Sequence, residues 1–529
     1  MDPLLQFLGD CTRKTARAPL RVGILLEGRA AEPWILECGD QAKSMPGIEL
    51  EYLALPEPPS EPQGPLLSRF ISRCRGVHDP FQTRPLDGPA LELAAGSSGL
   101  LTAAARDLVR SRSYDVLFAP RASSLRAGCE GLARLGVWSL AVDGYRMDRG
   151  NYQFFWNTHR ESDFLTVSFV AHRIRLEQGD VFLRFVLSTI PGMYYTRNLK
   201  MLEGVPVLFC LCLLAAQERD HDALQDLEHP GVEAPLAPPA PRPGDASVLR
   251  FFLDKSLRSL RLKLPGQFQD LEWFVAWRFQ PSELRDLACF PGREAADPFG
   301  MCTNGRSFVF FEDMSPGNLF GRLAALEVHP ERGPGGPEVI IERSYHLSYP
   351  CVFQHEGASY LIPESAENRT VDLYRADELP FRWTHLATLA SGPRFVDTTP
   401  FFHNGIWYFF TTAQIPGKGL VNLLFFSDTL TGPWRSHPAN PLSADAAASR
   451  GAGHIFQRDG AWIRPIQDCA VRYGYAIVLQ QILELTPERF REKPVGKVLP
   501  DWRPGLLATH TWNAAGPLEL RDGRRVRRY

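Results

Sequence analysis

The second half of the chain repeats one pattern of apolar and polar positions. Each repeat is an aromatic or apolar run, a polar turn ending in Gly, and a second aromatic run, as in SYPCVFQHEGASYLIPES and VDTTPFFHNGIWYFF. The turns centre on Gly305, Gly357, Gly405 and Gly460. Pairs such as Asn-Gly between β-rich runs are typical of tight hairpins, because Asn and Gly tolerate the positive φ that the turn needs. Each phrase therefore predicts a β-hairpin.

The spacing of these hairpins predicts the fold of the second half. The intervals are 52 (357 − 305), 48 (405 − 357) and 55 (460 − 405) residues, close to the roughly 50-residue period of a β-propeller blade. The tail GLLATHTWNAAGPLELRDGRR has a similar pattern and predicts a fifth hairpin centred on Gly523. We predict an all-β, five-bladed propeller, and a strand from before residue 290 is a candidate to close the ring.

The first half alternates strand and helix patterns. LRVGILLEG (20–28) and IELEYLALP indicate buried strands, and LTAAARDLVRSRSYDVLFAP indicates a helix followed by a strand. This alternation is typical of an α/β domain with a parallel sheet. The first strand is followed by ILLEGRAAEP, which lacks the GxGxxG pattern of a dinucleotide site.

These patterns divide the chain into four predicted parts. Residues 1–19 form an N-terminal extension, 20–228 an α/β domain, 229–247 a linker rich in Pro and Ala, and 248–529 the propeller with a short helical and strand lead-in. The apolar run 205–216 has 12 residues, fewer than the roughly 20 that span a bilayer. It predicts a buried helix and no membrane span.

Composition excludes several classes of protein. The 529 residues are 44% hydrophobic and 22% charged, with a formal net charge of −2, so no general electrostatic attraction favours nucleic acid. The start lacks a secretory signal pattern, and the ten cysteines lack metal-ligand spacing. We expect a cytoplasmic protein with no metal site and no nucleic-acid partner, and the oligomeric state is left open.

Aligning the repeats on their glycines brings carboxylates into two columns. Eight residues before the glycine stand Asp297, Tyr349, Asp397 and Ala452, and seven residues after it stand Glu312, Glu364, Thr412 and Gln467. Equivalent positions on inner strands point into the same central channel, so carboxylates from different blades can converge there. Sugar chemistry needs two carboxyl groups about 5 to 10 Å apart, although a single Asp or Glu can equally cap a strand or pair with Arg.

Several of these phrases resemble a known family. ADPF (296–299), FFED (310–313), VDLYRA (371–376) and RPIQD (464–468) followed by Tyr473-Gly474 are similar to the propeller at the N-terminus of plant glucosamine inositolphosphorylceramide transferases and their bacterial relatives. The resemblance covers about residues 265–529. More distantly, the chain resembles five-bladed arabinanase and fructosidase hydrolases, although Tyr349-Pro350 stands where those hydrolases place an Asp.

The columns and the resemblance together nominate a site. The catalytic candidates are Asp297, Glu364 and Asp397. Polar residues near them are the substrate-binding candidates: Glu312, His346, Arg369, Arg464, Gln467, Asp468 and His510.

Residues 136–184 resemble the catalytic core of folate-dependent formyltransferases. Arg149-Gly150, Glu161 and Gly179 fall at positions that match that family. The family's catalytic Asn, His and Asp fall on Ser139, on Ala141 and near Glu177, with Asp143 and His159 as possible substitutes. The resemblance therefore implies a degenerate, Rossmann-like domain and, overall, a bacterial two-domain protein. A tetrahydrofolate derivative is expected only if this domain is active, and no other cofactor is expected.

Three hypotheses of function follow. The first is a carbohydrate-active protein, similar to a glycosyltransferase or glycosidase, that handles a sugar, glycolipid or sugar nucleotide in surface polysaccharide or glycolipid synthesis. The second is a formyltransferase acting on an amino sugar nucleotide. The third is a non-catalytic scaffold that binds glycans.

Overall fold

The computed structural model describes most of the chain and divides it into two compact units. The residues outside the description are 12–17, 58–82, 96–100, 122–130, 148–151, 161–163, 173–179, 189–199, 219–236, 239, 263–270, 316–319 and 528–529. The first unit comprises Met1–Leu5, Lys14–Gln267 and Ile415–Gly419. The second comprises Gln6–Arg13, Phe268–Gln414 and Leu420–Tyr529.

The first unit is built on a mixed sheet. Its strands lie in the order Asp180–Ser188, Phe164–His172, Val137–Val142, Val116–Phe118, Leu20–Glu27, Ile48–Leu55 and Leu91–Glu92. The pairs formed by Leu20–Glu27 with its two neighbours are parallel. Phe164–His172 pairs antiparallel with both of its neighbours. The α/β prediction is therefore confirmed, with an antiparallel edge added to the parallel sheet.

Helices accompany this sheet, and their ends follow local sequence signals. Pro33 stands in the first turn of one helix, where its missing N–H costs nothing. Thr102 caps another by accepting a hydrogen bond from the backbone N–H of Ala105. The helices of this unit are Pro33–Lys43, Ala103–Ser111, Tyr152–Arg160, Val205–Glu218 and Asp245–Leu262, whereas most of Pro3–Cys11 belongs to the second unit. Among the described residues, none is long and apolar enough to cross a membrane, and Val205–Glu218 is the predicted buried helix.

The positions that resemble a formyltransferase are partly visible. Ser139 is fully buried, and its hydroxyl lies 2.7 Å from Nε2 of His172. Asp143 accepts hydrogen bonds from the amide of Asn157 and the backbone N–H of Thr166, so it fastens a loop. Arg149-Gly150, Glu161, Glu177 and Gly179 lie outside the described residues, as does 229–236 of the predicted linker. The formyltransferase assignment stays a prediction.

The second unit contains five separate antiparallel sheets, which we call blades 1 to 5. Blades 1 to 4 follow one another along the chain, and each begins with its inner strand. Blade 1 consists of Glu294–Thr303, Arg306–Met314, Gly321–His329, Gly333–Pro334 and Glu338–Ile341, and blade 2 of Ser348–His355, Ala358–Glu364, Thr370–Glu378 and Arg382–Ser391. Blade 3 consists of Phe395–His403, Ile406–Ile415, Gly419–Ser427 and Arg435–Ser436. Blade 4 consists of Arg450–Gly451, Phe456–Arg458, Ala461–Asp468, Ala476–Leu485 and Phe490–Val498. The predicted five-bladed propeller is confirmed.

Blade 5 closes the ring with strands from both ends of the unit. Its strands are Leu506–Ala508, Trp512–Ala515, Leu518–Val526, Leu271–Phe279 and Arg285–Asp286. Leu271–Phe279 pairs antiparallel with Leu518–Val526, with Trp277 opposite Leu520. The strand expected from before residue 290 therefore does complete the blade. The closure buries Val275 and Leu520 in the same apolar cluster as Phe311 of blade 1.

The centre assigned to the blade 5 hairpin was wrong. The tight turn is Gly516-Pro517, between the paired residues Ala515 and Leu518, and Gly516 has a φ of 57°. Gly523 lies inside the second strand, opposite Phe274. The interval from Gly460 is then 56 residues (516 − 460), which restores the regular spacing. The choice failed because Asp-Gly is a strong turn signal that strand pairing overrides here.

Ring closure should carry a measurable share of the stability of the propeller. Leu520 is fully buried, so Leu520→Ala should lower the free energy of unfolding by about 2 to 5 kcal/mol. Denaturant unfolding would measure the loss. Leu386→Ala is the matched control, because Leu386 lies on an outer strand and is 46% exposed. Equal losses in the two variants would contradict this account of the closure.

Candidate functional site

Three inner strands share one irregularity at the column that stands eight residues before the hairpin glycine. The pairing register shifts between Ala296 and Phe299, and the shift recurs at the matching place in blades 2 and 3. The first bulged residue has a positive φ in each case: 50° at Asp297, 45° at Tyr349 and 52° at Asp397. A left-handed φ at a residue other than Gly costs energy, and a bulge redirects a side chain. The column is therefore a repeated structural device.

Arg450 joins two of the predicted catalytic residues. Its Nε donates to Oδ2 of Asp397 at 2.6 Å, and its Nη2 donates to Oδ1 at 3.0 Å and to Oε2 of Glu364 at 3.3 Å. Burial, the charge of Asp397 and a hydrogen bond with Asp397 raise the pKa of Glu364 well above its usual value, against the opposing charge of Arg450. The raised pKa favours the protonated form of Glu364.

Asp297 belongs to a second group, on the blade 5 side. The hydroxyl of Thr511 donates to Oδ1 of Asp297 at 2.6 Å. Nδ1 of His510 lies 2.5 Å from Oδ2 of Asp522 and 3.6 Å from Oδ1 of Asp297. Burial raises the pKa of Asp297, and the charges of Asp397 and Asp522 act in the same direction, whereas His510 opposes them. The pKa of His510 is also raised, because the two carboxylates outweigh the effect of burial.

Asp297, His510 and Asp522 each have one ligand atom within 4.8 Å of those of the other two, a spacing that a metal ion could use. The short contact between His510 and Asp522 already satisfies this histidine as a cation. The arrangement is therefore explained by an ion pair.

Glu312 of blade 1 lies next to His346, which is in the loop that follows this blade. Nε2 of His346 is 3.4 Å from Oε1 of Glu312, and the backbone N–H of Gly321 donates to Nδ1 of the same ring. Burial raises the pKa of Glu312 well above its usual value, and the charges of Asp297, Glu364, Asp397 and Asp522 add to the effect. Glu312 therefore belongs to the same electrostatic group as the catalytic candidates.

Aromatic rings border this group. The ring of Trp273 stacks on His510 at 4.1 Å. Tyr473 is 47% exposed, and its ring centre lies 5.2 Å from the guanidinium carbon of Arg450 and 5.6 Å from His510. A side chain added at Gly474 would meet His510 at 2.8 Å, so the glycine allows the Tyr473 loop to approach. An exposed aromatic face beside charged groups suits a sugar ring.

Tyr349 fills the position where blade 2 breaks the column of aspartates. It is fully buried, and its hydroxyl accepts a hydrogen bond from the backbone N–H of Gly453 and lies 2.9 Å from the hydroxyl of Thr399. The ring packs edge-on against Phe299 at 4.8 Å. Tyr349 thus connects blades 2, 3 and 4, and it replaces a third carboxylate with a structural contact.

Of the four remaining substrate-binding candidates, one contacts a catalytic candidate and three have partners elsewhere. Gln467 donates to Oδ2 of Asp397 at 3.3 Å. Arg464 pairs with Glu492 at 2.5 Å, and Asp468 pairs with Lys497 at 2.5 Å. Arg369 is exposed and donates to the carbonyl of Gly392.

Sequence reasoning missed Arg450 and Asp522. Arg450 begins the inner strand of blade 4, which is interrupted between Gly451 and Phe456, so no regular spacing from Gly460 points to it. Asp522 was missed because blade 5 was aligned on Gly523. The first paired residue after the turn is Leu518 in blade 5 and Arg306 in blade 1. Asp522 comes four residues after Leu518 and Glu312 six residues after Arg306, so both side chains lie on the same face of the second strand of their hairpin.

The site holds more carboxyl groups than cations. Five acidic side chains interact there: Asp297, Glu312, Glu364, Asp397 and Asp522. Among the described residues, the cations paired with them are Arg450 and His510. Buried charge of one sign is costly, so protons must make up part of the difference. The arrangement can therefore store and release protons.

The fold and these contacts define a class: a five-bladed β-propeller with a buried acidic centre. Residues 271–519 match the family described as "Glucosamine inositolphosphorylceramide transferase 1, N-terminal". The match covers the propeller and confirms the resemblance predicted for it.

Curated relatives from plants carry the same name. The Glucosamine inositolphosphorylceramide transferase 1 of Oryza sativa subsp. japonica is 29% identical over 231 residues, which are 42% of this chain and 30% of the relative. That of Arabidopsis thaliana is 30% identical over 230 residues, which are 42% of this chain and 29% of the relative. The chain thus matches less than a third of the length of these relatives. The predicted bacterial origin stays a prediction.

Solved structures with some similarity include glycoside hydrolases. A family 117 glycoside hydrolase of Zobellia galactanivorans has a TM-score of 0.33 and 12% identity, over 49% of this chain and 91% of that one. An exo-β-1,3-galactanase of Phanerochaete chrysosporium has a TM-score of 0.33 and 13% identity, over 42% and 56%. Similarity this weak says nothing about the chemistry of this chain.

The ion pairs of Arg450 should be important for stability. Arg450→Met should lower the free energy of unfolding by about 3 to 5 kcal/mol, because it leaves buried carboxylate charge uncompensated. Adding Asp397→Asn should recover part of that loss. Denaturant unfolding of both variants would measure the effect. Arg435→Met is the control, since Arg435 pairs with the largely exposed Asp428; a loss no larger than the control's would contradict the prediction.

His454 should make the propeller less stable in acid. Burial lowers its pKa to about 4, from an ordinary 6.5. Between these values the unfolded chain binds a proton that the folded chain does not, so stability falls as the pH drops through this window. His454→Gln should reduce the loss between pH 7 and pH 4.5 by about 2 to 3 kcal/mol. Thermal or denaturant unfolding at the two pH values would show this, with His385→Gln, at an exposed position, as the control. Equal losses in wild type and His454→Gln would contradict it.

Proposed function

We propose that the propeller is a carbohydrate-active domain that transfers or cleaves a sugar at its acidic centre. The observation that carries the proposal is the convergence of Asp297, Glu364 and Asp397 on neighbouring blades, joined through Arg450 and through their mutual charges. Sugar chemistry needs carboxyl groups in different protonation states. The raised pKa of Glu364, which contacts the same guanidinium as Asp397, favours such a difference.

The substrate class follows from the surroundings of the site and from the names of the relatives. Tyr473 offers an aromatic face, and Gln467 and His510 offer polar contacts beside it. The matched family is named for a transferase that acts with glucosamine and inositolphosphorylceramide. We therefore infer that the substrate is a sugar on a glycolipid or a related glycan. Hydrolysis and transfer can use the same carboxyl groups, and exclusion of water from the site decides between them.

A non-catalytic glycan-binding scaffold is the second candidate, and Arg450 favours it. Its guanidinium pairs with both Asp397 and Glu364, and such a satisfied ion network can serve structure alone. The two candidates differ in one respect: a scaffold binds the glycan and leaves it chemically unchanged. The cytoplasmic location expected from the sequence stays a prediction.

The test combines binding with mass spectrometry. The full chain is titrated by calorimetry with glucosaminyl-inositol phosphate, and it is incubated with a glycolipid and polysaccharide extract of the source cells. We expect the wild-type chain to bind the probe and to cause a gain or loss of one sugar mass in the extract. Asp397→Asn should lower the rate of this mass change by at least about 100-fold. Asp428→Asn, at an exposed carboxylate of blade 3, is the matched control and should behave as wild type.

The possible outcomes separate the candidates. Binding without any change of mass in the extract would favour the scaffold. No binding, together with identical spectra for wild type and Asp397→Asn, would reject a carbohydrate function. Circular dichroism of each variant shows that it is folded before it is compared.

A further inference from the structure

Glu312 differs from the other four carboxyl groups of the site in how it is bound. Asp297 accepts a hydrogen bond from Thr511, and Asp397 and Glu364 accept hydrogen bonds from Arg450. Asp522 accepts hydrogen bonds from three backbone N–H groups. Glu312 is 5% exposed, and its Oε1 makes no hydrogen bond within the part of the chain that the structure describes. Since buried polar atoms are nearly always hydrogen-bonded, this exception calls for an explanation.

The space around Glu312 is formed by a glycine. A side chain at Gly321 would bring its Cβ within 2.3 Å of Oε1 of Glu312 and within 2.7 Å of the carbonyl oxygen of Leu347. No rearrangement of a flexible side chain would relieve the second contact, because it is with backbone. Glycine at 321 therefore allows the carboxyl group of Glu312 to lie where it does.

The same glycine sets the protonation of the neighbouring ring. Its backbone N–H donates to Nδ1 of His346 at 2.9 Å, so Nδ1 is an acceptor and the hydrogen of the neutral ring is on Nε2. Nε2 lies 3.4 Å from Oε1 of Glu312. Oε1 consequently faces an N–H group, and a protonated Glu312 carries its hydrogen on the other oxygen, Oε2.

The charges around Glu312 favour its neutral form. Asp297 in the first strand of the same blade, Glu364 of blade 2, Asp397 of blade 3 and Asp522 of blade 5 all act on it, and His346 is the group that faces it from the loop. Burial is the largest cause of its raised pKa, and these four acids add to it. At Glu364, in contrast, the charge of Arg450 opposes the rise in pKa. Burial and the neighbouring acids thus act in the same direction on Glu312 and favour its protonated form.

We propose that Glu312 is the proton donor of this site, a role that rests on the proposed function. Its Oε2–H bond breaks as the leaving glycosidic oxygen takes the proton. The bond between that oxygen and the sugar carbon breaks, and its electron pair goes to the oxygen. The attacking water or acceptor hydroxyl forms the new bond to the carbon and gives its proton to the carboxylate of Asp297. His346 is a positioning residue, because its Nε2 lies 3.4 Å from Oε1 and its N–H group can form a hydrogen bond with the carboxylate that remains after the proton has left.

The first test needs no substrate. Infrared spectra of the full chain at neutral pH, with ¹³C-labelled glutamate, should show the carbonyl stretch of protonated carboxyl groups. Glu312→Gln should remove part of that band, and His346→Gln should move the pH at which the same part disappears. A band unchanged by Glu312→Gln would overturn the proposal. Glu338→Gln, at an exposed position of blade 1, is the control and should leave the band unaltered.

The second test separates this proposal from the proposed function. Glucosaminyl-inositol phosphate is the binding probe, and turnover is followed as the mass change in the extract. Glu312→Gln should keep binding within about 3-fold, because the amide still donates a hydrogen bond, and it should lower turnover by at least about 100-fold. If Asp397→Asn lowers turnover and Glu312→Gln does not, the role of Glu312 is rejected while the proposed function stands. If neither variant changes binding or turnover, the proposed function itself fails.

Discussion

The pairing of Arg450 with Asp397 and Glu364 is the interaction on which the centre of the propeller depends. Arg450 is contributed by blade 4, and the two acids by blades 3 and 2, so one guanidinium joins three blades. Removing these charges from water is costly, and their mutual attraction repays that cost only when the geometry is good. The short bidentate contact with Asp397 meets this condition. The remaining acidic groups then have to be neutralised by His510 or by protons.

That shortage of cations connects structure with function. The positive φ at Asp297 and Asp397 costs energy, and each of these side chains lies among other acidic groups. Perturbed acidic groups of this kind cluster at functional sites, although structural ion networks produce them as well. Arg450 belongs to the structural side of this balance. Glu312 has a buried oxygen without a hydrogen bond among the described residues, and we assign it a functional role for that reason.

Blade 2 shows how the repeat was altered without losing the fold. Its bulge has the same positive φ as those of blades 1 and 3, but it carries Tyr349 instead of an aspartate. The hydroxyl of Tyr349 reaches the backbone of Gly453 in blade 4. An additional carboxylate at this place would have increased the excess of negative charge, whereas tyrosine adds a neutral contact between blades. The repeated backbone geometry thus supports either role.

The local pattern of the chain determined the hairpins, their period and the two columns of polar residues, because alternation and turn chemistry act over a few residues. It therefore predicted five blades, and it nominated Asp297, Glu312, Glu364 and Asp397, which the structure brings into one electrostatic group. Tertiary structure alone decided which cations meet them. Arg450 is distant in sequence from Asp397 and Glu364, and Asp522 is distant from Asp297, whose backbone N–H donates to it. Arg464 and Asp468 found other partners in their own blade. Charge compensation depends on distances across the ring, and no local pattern contains them.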